Sequence, residues 1–117
     1  MKVLLVDDNA MTRDMMKDLL TEMGHVVVGE AGDGNEAIKI FSETRPELVL
    51  LDMIMPVKTG LEALPELKAL DPSAKIVMVT AVQQETINQE LMAKGATAIL
   101  HKPFLYDELA ALLKQVE

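Results

Sequence analysis

Residues 48–52 read Leu-Val-Leu-Leu-Asp, four consecutive large apolar residues followed by an acid. A run without polar alternation is typical of a strand that is buried on both faces of a sheet. Similar runs recur at residues 3–6, 26–28 and 76–79, and a weaker fifth run is Ala98-Ile99-Leu100. We therefore predict five short strands, of which the first four are buried on both faces.

The segments between these runs carry apolar residues at spacings of three and four, which is the period of an amphipathic helix. The clearest stripes are Met11, Met15, Met16, Leu19, Leu20 and Met23 in the first helix and Leu105, Leu109, Leu112, Leu113 and Val116 in the fifth. Gly24, Pro46 and Gly95 predict the ends of the first, second and fourth helices. Proline is tolerated only in the first turn of a helix, so Pro65 predicts that the third helix begins near residue 62 or later.

Three glycines follow the second run, at positions 29, 32 and 34. Their spacing differs from that of a dinucleotide-binding loop and indicates a turn that opens the second helix. Strands joined by helices must run parallel, and right-handed crossovers place helices on both faces of the sheet. The sequence therefore predicts an α/β fold, a (βα)5 three-layer sandwich in one domain over residues 1–117.

The composition excludes several classes of function. The net charge is −8 and only two of the 11 basic residues are Arg, so direct binding of nucleic acid is disfavoured. The absence of Cys excludes disulfides, thiolate metal sites and cysteine nucleophiles, and it fits a reducing compartment. No secretory leader pattern and no apolar run of about 18 residues is present. We expect a cytoplasmic protein without membrane insertion.

The residues that close the predicted strands are acids, a hydroxyl and a lysine. Asp7 and Asp8 follow the first strand, Asp52 and Thr80 close the third and fourth, and Lys102 follows the fifth. Taken singly, these residues are typical of turns, strand ends and surface charges, but ligands bind parallel sheets at the carboxyl ends of the strands. Clustered carboxylates raise the pKa of at least one of them unless a cation intervenes. Oxygen ligands without Cys make Mg²⁺ the best-fitting cation.

This combination, in this order, resembles the receiver domains of two-component response regulators, and the stand-alone CheY-type proteins in particular. The resemblance covers the chain from Lys2 to Val116. Its motifs are Val6-Asp7-Asp8, residues 50–56 (Leu-Leu-Asp-Met-Ile-Met-Pro) with Gly60 following, Val79-Thr80-Ala81 and residues 100–104 (Leu-His-Lys-Pro-Phe). The resemblance implies a flavodoxin-like fold whose five parallel strands have the order 2-1-3-4-5.

The same resemblance implies how the site works. Asp52 would be phosphorylated by a histidine kinase or a phosphotransfer protein. Asp8, Asp52 and the backbone carbonyl of Ile54 would bind Mg²⁺, and Asp7 would reach the ion through water. Phosphoryl transfer needs positioning and positive charge more than covalent chemistry by the protein, which suits this set of residues.

The family also implies how phosphorylation is transmitted. Lys102 would pair with the phosphoryl oxygens, while the Thr80 hydroxyl and the Ala81 N–H would move toward them. This movement would alter the face formed by the fourth helix, the fifth strand and the fifth helix. The bond before Pro103 is a candidate cis peptide. Ile99 occupies the position where the family usually has an aromatic switch residue, so we expect a smaller surface change.

The predicted function is a phosphorylation-driven switch that acts as a monomer on a downstream target protein. The protein would not be an enzyme beyond its own phosphorylation and dephosphorylation. A phosphorelay intermediate and a receiver fragment of a larger regulator are the alternatives. A phosphohydrolase with an aspartyl-phosphate intermediate is disfavoured, because such enzymes need an acid two residues after the nucleophile and position 54 is Ile.

Overall fold

The computed structural model describes residues 1–117 as five strands that alternate with five helices. The strands are β1 (Lys2–Val6), β2 (Val26–Ala31), β3 (Leu48–Asp52), β4 (Lys75–Thr80) and β5 (Ala98–His101). The helices are α1 (Ala10–Glu22), α2 (Gly34–Thr44), α3 (Gly60–Leu70), α4 (Glu85–Ala93) and α5 (Tyr106–Val116). All strand pairs are parallel, and the order β2-β1-β3-β4-β5 confirms the predicted topology. None of the helices has the length and apolar character that a membrane crossing requires.

Helices cover both faces of the sheet and form two separate apolar cores. On one face, Phe41 of α2, Leu64 of α3 and Leu91 of α4 are fully buried against alternate residues of the central strands. On the other face, Leu20 of α1 and Leu109 of α5 pack against the remaining residues of the same strands. The central strands β1, β3 and β4 are therefore held between two layers, which gives their carboxyl ends a rigid base.

The strand β2 lies at an edge of the sheet and is only partly covered. Val26 is 60% exposed, and only Ala31 in this strand is fully buried. The prediction that the second run is buried on both faces is therefore wrong, because an edge strand has a neighbour on one side only. The strand also extends through Gly29, which was expected in a turn. A Cβ at Gly29 would lie 2.6 Å from Cγ2 of Ile40 in α2, so the glycine allows this helix to approach the strand closely.

The helix α3 begins earlier than its proline predicts. The Thr59 hydroxyl accepts the backbone N–H of Glu62 at 3.2 Å, and the Glu62 carboxylate accepts the N–H of Thr59 at 3.0 Å. This capping box starts the helix at Gly60 and places Pro65 inside it. The prediction of a start near residue 62 or later is therefore wrong. Because Pro65 has no backbone N–H, α3 lacks one of its internal hydrogen bonds at this residue.

Candidate metal centre

Three acids meet at the carboxyl edge of the sheet because β1 and β3 are neighbours. Carboxylate oxygens of Asp7, Asp8 and Asp52 all lie within 4.8 Å of one another. Asp7 and Asp52 are buried, with 5% and 9% of their surfaces exposed, whereas Asp8 is exposed. Two ligands of one Mg²⁺ ion lie about 3–4 Å apart, given oxygen distances near 2.1 Å. The three carboxylates therefore fit a magnesium site after small side-chain adjustments.

Asp52 carries the strongest electrostatic perturbation of the site. Burial raises the pKa of its carboxyl, and the charges of Asp7 and Asp8 raise it further. The Lys102 ammonium, 3.7 Å from Oδ1 of Asp52, and the backbone N–H of Ile54 act in the opposite direction. The Asp52 side chain keeps 12% of its surface accessible, so a group from solvent can still reach it. A divalent cation beside this carboxyl would favour its ionised form.

Asp7 has all of its polar groups engaged. Its N–H donates to the Ala31 carbonyl at 3.0 Å, which extends the pairing of β1 with β2. Its Oδ1 accepts the N–H of Asn9 at 2.9 Å, and its Oδ2 accepts from Nζ of Lys102 at 2.8 Å. Its carbonyl accepts from Nη1 of Arg13 at 2.6 Å. Asp7 is thus fixed from four sides, whereas no hydrogen bond or salt bridge engages the Asp8 carboxylate.

The remaining residues of the predicted site come from β4 and β5. Thr80 is 1% exposed, and its hydroxyl oxygen accepts the N–H of Val82 at 3.0 Å. Ala81 is exposed and lines, together with Lys102, an open cavity of about 450 Å³. The Lys102–Pro103 peptide bond is cis. The structure therefore brings the hydroxyl, the loop amide and the ammonium to the edge of the sheet that carries the acids.

Two isoleucines complete the predicted set, and they differ in their surroundings. The side chain of Ile54 is directed to solvent, with 65% of the residue exposed. Ile99 on β5 is half-buried and packs against the core on the face of α2, α3 and α4. Ile99 therefore links the end of the sheet to the helix layer that contains α4.

Three residues at the site were missed by the sequence analysis. Asn9 caps α1, because its Oδ1 accepts the N–H of Thr12 at 3.1 Å, and an Asn directly before an apolar helical stripe is a recognisable capping signal. Arg13 and Glu30 form a salt bridge with 3.2 Å between Nε and Oε1. No local pattern could reveal this pair, since the residues are 17 positions apart and meet only when α1 packs beside β2.

The sequence model of the response regulator receiver domain matches residues 3–114. With the strand order and the acidic site described above, this match shows that the chain belongs to the response regulator receiver domain family. The protein is accordingly a two-component response regulator. Within the family it is similar to the chemotaxis protein CheY of Thermotoga maritima, with 37% identity over 115 residues that cover 98% of this chain and 96% of that protein.

Similar solved structures support the same family assignment. The CheX-CheY-BeF3-Mg+2 complex from Borrelia burgdorferi matches with a TM-score of 0.95 at 26% identity, covering 98% of this chain and 87% of that one. The chemotaxis protein CheY4 of Vibrio cholerae matches with a TM-score of 0.92 at 34% identity, covering 99% and 98% of the two chains. These similarities confirm the predicted flavodoxin-like fold.

Proposed function

We propose that this response regulator accepts a phosphoryl group on Asp52 in a Mg²⁺-dependent reaction and thereby changes its binding to a downstream protein. The observation that carries the proposal is the surroundings of the Asp52 carboxylate. Two further carboxylates lie within 4.8 Å of it, an ammonium lies at 3.7 Å, and its side chain remains accessible. The similar CheY structure from Borrelia burgdorferi is a complex with Mg²⁺ and BeF3, which supports a cation at the corresponding edge of this sheet.

Each acid has a distinct part in the proposed site. Asp8, Asp52 and the Ile54 carbonyl would hold Mg²⁺, and Asp7 would contact it through water. When bound, the ion supplies positive charge that offsets the negative charge of the phosphoryl oxygens. The Asp7 carboxylate is preorganised for this role, because Lys102 and the N–H of Asn9 hold it in place.

Lys102 contacts Asp7 before phosphorylation and would contact the phosphoryl group during its transfer. Its bond to Asp7 holds the ammonium 3.7 Å from Oδ1 of Asp52, which supports a contact between Lys102 and the oxygens of a phosphoryl group on Asp52. In the transfer, an Asp52 carboxylate oxygen forms a bond to phosphorus while the phosphorus–nitrogen bond of a phosphohistidine breaks, and the electron pair returns to the imidazole. Asp52 must be ionised to attack, and Lys102 opposes the rise of its pKa that burial causes.

The hydrogen bond between Thr80 and Val82 is the contact through which phosphorylation would act. A phosphoryl group adds about two negative charges and three acceptor oxygens, so it attracts the Thr80 O–H and the Ala81 N–H. Rotation of the Thr80 hydroxyl away from Val82 removes the bond at 3.0 Å that fixes the loop before α4. The face formed by α4, β5 and α5 would then change its structure and its preferred partner. Ile99 would transmit this change by packing, because it lacks an aromatic ring that could swing inward.

The biological setting follows from these properties. The phosphodonor would be a histidine kinase or a phosphotransfer protein, and the target a protein that reads the face of α4, β5 and α5. The protein would act in the cytoplasm as a monomer and would catalyse only its own gain and loss of phosphate. The similarity to CheY proteins favours a chemotaxis pathway over a phosphorelay.

The test of the proposed function is intact-mass measurement after incubation with acetyl phosphate and Mg²⁺. We expect the wild type to gain the mass of one phosphoryl group and Asp52→Asn to gain none. Asp18→Asn, which neutralises an exposed acid on α1, should be labelled as the wild type is. Chelation of Mg²⁺ should prevent the labelling. Equal labelling of Asp52→Asn, or repeated turnover of phosphate esters by the wild type, would overturn the proposal.

A further inference from the structure

Arg13 connects the first turn of α1 to the acidic site and to the edge strand β2. Its Nη1 donates to the Asp7 carbonyl at 2.6 Å, and its Nε donates to Oε1 of Glu30 at 3.2 Å. The side chain is largely covered, with 21% of its surface exposed. Two donors of one guanidinium thus meet two acceptors, one directly after β1 and one in β2, a geometry that the planar Arg group provides and a Lys ammonium does not.

The Asp7 carbonyl belongs to the peptide bond that joins Asp7 to Asp8. Because the peptide unit is planar, a contact that holds its oxygen also sets the direction in which the chain enters Asp8. The rest of Asp7 is already fixed by Ala31, Asn9 and Lys102. No hydrogen bond or salt bridge holds the Asp8 side chain, so the orientation of this peptide plane sets the position from which its carboxylate projects.

We propose that Arg13, oriented by Glu30, is a positioning residue that prepares Asp8 for a divalent cation. The inference rests on the proposed function, because it requires Asp8 to bind Mg²⁺. Arg13 acts through the backbone and does not touch the ion. The Glu30 carboxylate also offsets the guanidinium charge, which would otherwise compete with a cation for the same acids.

A positioning role and simple charge repulsion predict different Mg²⁺ affinities for two variants of Arg13. Arg13→Gln removes the positive charge, whereas Arg13→Lys keeps the charge and loses the planar pair of donors. If Arg13 positions Asp8, both variants raise the Kd for Mg²⁺, by about tenfold, as is typical when a residue that orients a metal ligand is lost. If only charge matters, Arg13→Gln lowers the Kd and Arg13→Lys leaves it unchanged.

Glu30 offers a second pair of variants for the case in which the Arg13 variants do not fold. Glu30→Ala removes the acceptor for Nε of Arg13 and should raise the Kd for Mg²⁺. Glu30→Gln keeps an acceptor oxygen and should restore most of the wild-type affinity. Lys17→Gln is the matched control, because its Nζ lies 3.9 Å from Oε2 of Glu30 and its side chain is 52% exposed. Its Kd should equal that of the wild type.

The experiment is calorimetric titration of the full chain with MgCl2, with circular dichroism of each metal-free variant to establish that it is folded. Asp8→Asn identifies the site. If the wild type does not bind Mg²⁺, or Asp8→Asn binds it as tightly, the proposed function fails. If Asp8→Asn loses binding but folded Arg13→Lys, Arg13→Gln and Glu30→Ala keep the wild-type Kd, only the positioning role of Arg13 is overturned.

Discussion

At the scale of single residues, Asp52 shows a conflict between stability and function. Its carboxyl has a pKa raised above 3.8, first by burial and then by the charges of Asp7 and Asp8. A carboxyl whose pKa is higher in the folded state binds protons more tightly there than in the unfolded chain. The folded state is therefore favoured by this group at low pH, and that contribution is lost as the pH rises through the folded pKa. At neutral pH the ionised Asp52 destabilises the fold, although phosphorylation requires the ionised form.

We therefore predict that Asp52→Asn raises the free energy of unfolding at pH 7 in the absence of Mg²⁺. The expected gain is about 1–2 kcal/mol, because one of three clustered charges is removed while its attraction to Lys102 is also lost. The gain should shrink as the pH falls through the raised pKa of Asp52, because the wild-type carboxyl then becomes protonated. Urea denaturation followed by circular dichroism measures this difference. Addition of Mg²⁺ should stabilise the wild type and not the variant.

The control for this prediction is Asp18→Asn, which neutralises an exposed acid on α1 that is not a member of the cluster. It should change the free energy of unfolding by less than about 0.5 kcal/mol. A stability of Asp52→Asn at or below that of the wild type at pH 7 would mean that Lys102 already compensates the repulsion among the three acids.

At the scale of elements, the contact between α3 and the end of β3 sets the position of Asp52. Gly60 is the first residue of α3, and its N–H donates to the Met53 carbonyl at 2.9 Å. A Cβ at this position would lie 2.1 Å from the Asp52 carbonyl oxygen and 2.9 Å from Cα of Met53. Both neighbours are backbone atoms and cannot rotate away. The glycine therefore allows the helix to pack directly against the strand that carries the acid.

We predict that Gly60→Ala destabilises the protein by more than about 2 kcal/mol, because the helix or the strand end must move. The displacement should also weaken Mg²⁺ binding through Asp52. Gly32→Ala is the control, since a Cβ there meets only Nη1 of Arg13 at 3.9 Å. Urea midpoints of the two variants test the prediction, and a Gly60→Ala midpoint equal to that of Gly32→Ala would contradict the close packing.

At the scale of the whole molecule, His25 joins the two ends of the chain. Its Nδ1 lies 2.9 Å from the amino group of Met1, and its Nε2 lies 3.9 Å from a carboxylate oxygen of Glu117. Burial lowers the pKa of His25, and the N-terminal ammonium lowers it further, while Glu117 and Glu47 act in the opposite direction. The neutral ring can accept from the ammonium at Nδ1, whereas a protonated ring cannot.

This contact predicts a pH-dependent stability near neutrality. Between the lowered pKa of His25 and 6.5, its ordinary value, the unfolded chain binds more protons than the folded protein. The free energy of unfolding should therefore rise with pH through this window and fall as the solution is acidified from pH 7.5 to 5.5. We expect the wild type to lose more stability over this range than His25→Gln, as measured by urea denaturation at each pH. Equal losses would show that His25 does not contribute.

Much of this protein follows from local patterns in the sequence. Apolar runs such as residues 48–51 predict strands because burial on both faces needs no polar alternation. Parallel strands then carry Asp7, Asp8, Asp52, Thr80 and Lys102 to one edge of the sheet, whatever the details of packing. For this reason the fold class and the candidate residues could be predicted before any contact between them was known, whereas the strand order was predicted from the resemblance to receiver domains.

Other properties depend on contacts between distant parts of the chain, and only the tertiary structure decided them. The edge position exposes β2 and places Gly29 inside a strand against α2. Lys102 lies closer to Asp7 than to Asp52, and Arg13 reaches both Asp7 and Glu30. The physical reason is that each of these contacts joins groups from separate segments of the chain. Their distances are determined by how helices and strands pack on one another, which no short stretch of sequence encodes.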